Sequence, residues 1–168
     1  MKRIAAAIVV PIIALLSMVS CEKDDICVDA VTPQLIITFY DQDNVSDAKD
    51  VTLLRVYGEG LDPDGAVIDR TTTDSIAIPL KTLEDSTSYV FITNSGDDEN
   101  DQEVGNADVL TFYYNINEIY VSRACGYKVN YSSLTAGITP DTDNWITNIS
   151  IENNEVTDEV AAHVNIYH

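Results

Sequence analysis

From residue 31 onward the chain alternates short β-branched and aromatic runs with clusters of Asp, Asn, Gly and Pro, and nowhere sustains an apolar period of 3.6. Residues 34–40 (QLIITFY) place Leu35, Ile37 and Phe39 on one face and Ile36, Thr38 and Tyr40 on the other. Apolar residues on both faces predict an interior strand. A second strand is expected over 50–59, ending at Gly58 and Gly60. The turn Leu61-Asp62-Pro63-Asp64-Gly65 follows, in which Pro presets φ and Gly accepts a positive φ. Residues 66–70 and 75–80 are shorter strands. The second contains Pro79, which lacks an amide donor and belongs at a sheet edge. Residues 88–93 form a strong strand that stops at Asn94-Ser95-Gly96. Strands at 109–115, 118–123 and 126–131 come next, then 145–151 and a final run at 163–168 that closes the domain; 159–162 has room for a helical turn. Eight to ten short strands between turn signals predict an all-β fold, an antiparallel β-sandwich, with a small β-barrel as the alternative.

The first 25 residues follow different rules. Lys2 and Arg3 precede an apolar run at 4–16, and Leu16-Ser17-Met18-Val19-Ser20-Cys21 comes next. A charged start, a short hydrophobic segment and a small residue before the cut form a secretory signal peptide, here residues 1–20. Thirteen apolar residues interrupted by Pro11 fall short of the roughly 20 that span a bilayer. The cysteine after the cut resembles the lipobox of bacterial lipoproteins, which implies that Cys21 is acylated and becomes the new N-terminus. Met18 departs from the Leu usual three positions before that cysteine, and the other reading is an ordinary secreted protein with a thiol near the cut. Residues 21–31 then form a short tether and 32–168 the β-domain. Nothing after Asp25 is apolar for long enough to be a second membrane segment.

Charge narrows the partners. Without residues 1–20 the chain carries seven basic and 28 acidic residues, 7 − 28 = −21. That balance excludes nucleic acid, where phosphate contacts need Lys and Arg. It also disfavours docking on anionic head groups by charge, so the membrane is reached through the N-terminal lipid. Three cysteines follow the cut, Cys21, Cys27 and Cys125. With Cys21 taken by lipid, Cys27 and Cys125 form an even pair in an exported compartment. A bridge would close about 100 residues, and two buried free thiols are the alternative.

Several blocks together are similar to one known group: Cys21-Glu22-Lys23-Asp24-Asp25-Ile26-Cys27, Thr32-Pro33-Gln34-Leu35-Ile36, Thr73-Asp74-Ser75-Ile76-Ala77-Ile78-Pro79-Leu80, Val121-Ser122-Arg123-Ala124-Cys125-Gly126-Tyr127 and Ala162-His163-Val164. The chain resembles a family of uncharacterised lipoproteins from Bacteroidota, known as a domain of unknown function. The resemblance covers nearly the whole chain after the cut and implies neither an activity nor a site. Both paired cysteines fall in resembling blocks. Among Bacteroidota lipoproteins a Lys followed by two acids after the acylated cysteine resembles a surface-export signal, which Lys23, Asp24 and Asp25 would supply. The expected location is the outer membrane, lipid-anchored at the cell surface, with the periplasmic face as the alternative.

Chemistry is sparse. There is no Gly-x-Ser-x-Gly, and both histidines lie in the last six residues. His163 and His168 fall on opposite faces of a strand, which predicts a satisfied strand histidine and no two-His metal site. Carboxylates are too abundant for any pair to signal a glycosidase, so no enzyme activity, catalytic residue or cofactor is expected. Calcium is the exception worth testing, because Asp41/Asp43, Asp62/Asp64, Asp97, Asp98, Glu99 and Asp101, and Asp141/Asp143 offer hard oxygen ligands on loops. None fits an EF-hand, and Asp is an ordinary turn former. Trp145, Tyr113 and Tyr114 are candidate stacking residues for a glycan or an envelope-protein partner; adjacent in one strand, one of the two tyrosines must face outward. The reading is a non-catalytic binding or structural accessory module, with a surface calcium- or glycan-binding protein next and an envelope hydrolase last.

Overall fold

The computed structural model describes Cys27 and residues 31–168. Cys21 and the Lys23-Asp24-Asp25 run lie outside the described residues. Nine strands follow in order: β1 Leu35–Tyr40, β2 Val51–Gly58, β3 Ile68–Thr73, β4 Ser75–Ile78, β5 Ser86–Asp97, β6 Glu103–Ser122, β7 Gly126–Ile138, β8 Asn148–Ile151 and β9 Val164–Tyr167. Between β2 and β3 a 3-10 turn, Pro63–Gly65, is capped by the Asp62 side chain, which accepts from Asp64 N. The strands form a four-stranded sheet, β4-β1-β9-β8, and a five-stranded sheet, β3-β2-β5-β6-β7. The all-β two-sheet reading therefore holds.

β1 shows why the sequence pattern worked. Leu35, Ile37 and Phe39 are buried, Ile36, Thr38 and Tyr40 are half-buried, and the strand lies between β4 and β9. β4, which precedes Pro79, is an edge strand. A difference from the all-antiparallel expectation is that β1 runs parallel to β9, with Ile37 opposite Val164 and Phe39 opposite Ile166. A parallel pair needs a long connection, and here most of the domain lies between the two. β1–β4, β8–β9, β2–β3, β2–β5 and β5–β6 are antiparallel. Inner-facing residues of both sheets meet in one core, including Phe39, Phe91, Phe112, Tyr131, Leu110 and Ile166.

Three strands run past the punctuation that the sequence offered. β5 continues through Asn94-Ser95-Gly96, because its register with β6 shifts between Thr93 and Gly96 and Asn94 adopts φ 54°. That is a β-bulge, which absorbs turn-forming residues without ending the strand. Opposite it Gly105 has φ +123°, and a Cβ there would lie 2.6 Å from Thr93 O, so no other residue fits. β6 continues through Asn115-Ile116-Asn117, where Asn117 Nδ2 donates to Ser132 Oγ at 2.8 Å, and joins two expected strands into one. β7 likewise runs on to Ile138.

Two units are distinct in the fold. The larger comprises Ala30–Tyr120 and Tyr127–His168 and holds the core; the smaller contains Cys27 and Val121–Gly126, the tip of the β6–β7 hairpin. Within the smaller unit Cys27 and Cys125 are joined as a disulfide, with Cα atoms 5.0 Å apart and a sequence separation of 98. Ser122 Oγ accepts from Cys125 N and closes the tip.

Candidate functional site

Pro79, Leu80 and Lys81 leave β4 and cross from the small sheet toward β5 in the large one. Their carbonyls lie outside any ladder and need partners. Three neighbouring strands each supply one tyrosine. Tyr89 on β5 donates to Pro79 O at 2.5 Å, Tyr131 on β7 to Leu80 O at 3.1 Å and Tyr114 on β6 to Lys81 O at 3.0 Å. Thr87 Oγ1 lies 2.5 Å from the Tyr114 hydroxyl and accepts from Lys81 N at 2.9 Å. Tyr114 and Tyr131 also meet edge to face at 4.9 Å. All three rings are buried. Desolvation raises each hydroxyl, Tyr89 and Tyr131 to about 12. This clasp joins the two sheets.

Beside the clasp opens a cleft of about 390 Å³, lined among others by Glu59, Leu61, Pro79, Lys81, Thr87 and Tyr89. The polar atoms of Thr87 and Tyr89 are already engaged inside the protein, and Lys81 Nζ is paired with Glu84 at 2.8 Å. The cleft therefore offers shape and apolar surface, with its donors and acceptors largely satisfied. Sequence reading overlooked Tyr89 and Tyr131. The available signal was a tyrosine at a core-facing strand position, which requires a buried partner for its hydroxyl.

The strongest electrostatic feature lies at the outer edge of the large sheet. Arg55, 8% exposed, reaches Glu103 Oε2 at 2.5 Å and donates to Pro63 O at 2.9 Å. Asp69 lies 3.2 Å from its Nε, a charge neighbour whose geometry misses a hydrogen bond. Arg70, on β3, grips Asp97 with both terminal nitrogens and approaches Glu103 at 3.5 Å. Glu103 also accepts from Ser95 Oγ and Gly96 N. Burial pushes the Glu103 carboxyl up, but Arg55, Ser95 and Gly96 outweigh it and hold it below the usual value. The Arg70 hydrogen bond lowers Asp97 against its own desolvation. Arginines facing carboxylates in this number fasten β2, β3, β5 and β6 together.

The candidate calcium ligands have other occupations. In each of the four acidic loops one Asp accepts a backbone N–H two residues on: Asp43 N to Asp41, Asp64 N to Asp62, Asn100 N to Asp98 and Asp143 N to Asp141. These are Asx turns, the local bond that makes Asp a turn former. Gln102 N also donates to Asp98, and Asp97 is held by Arg70. Glu99 and Asp101 are exposed on the same turn. Among the described residues no three His, Cys, Asp or Glu side chains converge as a metal site would require.

The remaining candidates separate by burial. Tyr113 is 53% exposed, whereas Tyr114 is buried in the clasp. Trp145 is half-buried, donates Nε1 to Phe91 O at 3.3 Å and packs against Phe39 and His168, so Tyr114 and Trp145 form no exposed shelf, a correction to their reading as stacking residues. Burial put the Tyr114 ring into the core, and Trp145 packs partly buried against it. His163 is 1% exposed, and its Nδ1 accepts from Ile36 N at 3.1 Å; desolvation lowers it, against Asp158. Asp108 is fully buried and accepts from Ile146 N and Asn144 Nδ2. Desolvation raises it, opposed by those bonds. A raised carboxyl is what a general acid needs, but both Asp108 oxygens are occupied in tying 144–146 to β6. Sequence reading also passed over Tyr120 and Tyr127, 55% and 68% exposed, whose rings meet at 5.3 Å.

Among the described residues no helix is long and apolar enough to cross a membrane. A family model described as a family of unknown function (DUF6452) matches residues 53–168, and the chain belongs to that family. No curated protein and no solved structure matches it.

Proposed function

We propose that this chain is a Bacteroidota envelope lipoprotein, anchored through acylated Cys21, that acts as a non-catalytic binding or structural accessory module at the cell surface. The observation that carries the reading is the Cys27–Cys125 bridge. It occupies two of the three cysteines that follow the signal peptide and leaves Cys21, at the end of the lipobox-like run, with a thiol to acylate. The non-catalytic part rests on the engagement of the buried ionisable groups. Asp108, His163, Arg55 and the clasp tyrosines all face partners within the fold. The Lys23-Asp24-Asp25 run supports display on the exterior.

Metabolic labelling with an alkynyl fatty acid tags the wild-type chain and leaves Cys21→Ser untagged; equal labelling of both refutes the anchor. A non-penetrating protease then removes the domain from intact cells, and changing Lys23, Asp24 and Asp25 to Ala protects it. Full protection of the wild type places the domain on the periplasmic face.

A further inference from the structure

We propose that the Tyr120–Tyr127 face of the β6–β7 hairpin docks on the interface of the bilayer that holds the lipid anchor, an inference that rests on the acylation of Cys21. Tyr120 and Tyr127 form an exposed edge-to-face pair. Their positions continue the inward-facing registers of β6 and β7 (Leu110, Phe112 and Tyr114; Val129 and Tyr131) beyond the point where the core ends. An amphipathic ring with a hydroxyl at its tip is the side chain favoured where hydrocarbon meets head groups.

Chain connectivity sets the distance. Cys21 and Cys27 are six residues apart, at most about 21 Å of extended chain. Cys27 is bonded to Cys125, and Tyr127 follows two residues later. An acylated Cys21 therefore keeps this hairpin within a few nanometres of the membrane surface.

Charge points the same way. In a chain of −21 after the cut, residues 115–128 carry one acid, Glu118, and two bases, Arg123 and Lys128. Of the other strongly exposed apolar residues, Leu61, Leu83 and Val160 each have an acid as an immediate neighbour, namely Asp62, Glu84 and Glu159, while Val31 and Val45 do not. Tyr120 and Tyr127 have none. Carboxylates beside an apolar group oppose its approach to an anionic surface, and this hairpin is where they are thinned out.

Hydroxyl-radical footprinting read by mass spectrometry tests the proposal on the native lipoprotein. The chain is compared in vesicles of phosphatidylethanolamine and phosphatidylglycerol and, as Cys21→Ser, free in solution. Oxidation of Tyr120 and Tyr127 is expected to fall several-fold in the vesicles while that of Tyr113 stays unchanged. Equal oxidation of Tyr120 and Tyr127 in both states overturns the docking. Protection on intact cells without protection on lipid vesicles also overturns it and assigns the pair to a glycan or protein. Intact mass reports acylation separately. If the acyl chains are absent, the anchor reading fails. The Cys21→Ser chain with a hexahistidine start on nickel-chelating lipid vesicles then decides the docking, with protection supporting it and none overturning it.

Discussion

Tyr131→Phe is the sharpest test of the clasp. The ring stays, with its edge-to-face contact on Tyr114, and a single hydroxyl disappears from a site that is 0% exposed. Among the described residues, no other donor reaches Leu80 O through a side chain or loop backbone. The substitution therefore leaves a desolvated carbonyl without a partner. A hydrogen bond of this kind contributes about 1 kcal/mol net, and an orphaned buried acceptor costs about 1–3 kcal/mol. A loss of about 2 kcal/mol is expected. For a domain of this size that lowers the melting temperature by roughly 4–8 °C. Urea titration of the disulfide-intact chain without its signal peptide measures it, and the midpoint should move with an unchanged slope. Tyr113→Phe is the control, since its ring is exposed and its change should stay within about 0.5 kcal/mol. A Tyr131→Phe loss no larger than that of the control would refute the argument that these hydroxyls join the sheets.

Alkali should unfold the domain through the same residues. Tyr89 and Tyr131 are raised from 10.0 to about 12 by desolvation, so their contribution is complete below pH 10 and is lost as pH rises through 12. Each corresponds to roughly 3 kcal/mol, and a late tyrosinate absorbance phase should coincide with loss of near-ultraviolet circular dichroism; separate transitions would contradict it. Glu103→Gln leaves buried Arg55 short of a charged partner and should destabilise by about 1–3 kcal/mol at neutral pH. Because the Glu103 carboxyl is held below its ordinary 4.5, wild-type stability from it is present above that pH and lost as pH falls, so the two proteins should converge in acid-denaturation curves. Peptide mapping without reductant should recover Cys27 linked to Cys125, and reduction should lower stability by up to about 4.7 kcal/mol in the chain-entropy account; full alkylation of both residues before reduction would exclude the bridge.

The local sequence determined the strands and several of their limits. Alternation at Leu35, Ile37 and Phe39 produced β1, and Pro79, without an amide, ended β4 at Ile78, because each depends on one residue's geometry and its immediate neighbours. The adjacent pair Tyr113 and Tyr114 had to split between faces for the same reason, and the Asx turns need only an Asp and the amide two residues on. Tertiary structure decided what depended on distant partners. Asn94-Ser95-Gly96 reads as a stop, yet pairing with β6 carries the strand through it as a bulge. The parallel placement of β9 beside β1 is set by the way the chain returns, which no local period records. Trp145 packs half-buried against the core because Asp108, 38 residues from Ile146, draws the chain inward there. The clasp needs Tyr89, Tyr114 and Tyr131 from three strands and three consecutive carbonyls from a fourth segment. Each of those tyrosines alone looks like strand packing, and only folding brings their hydroxyls onto Pro79, Leu80 and Lys81.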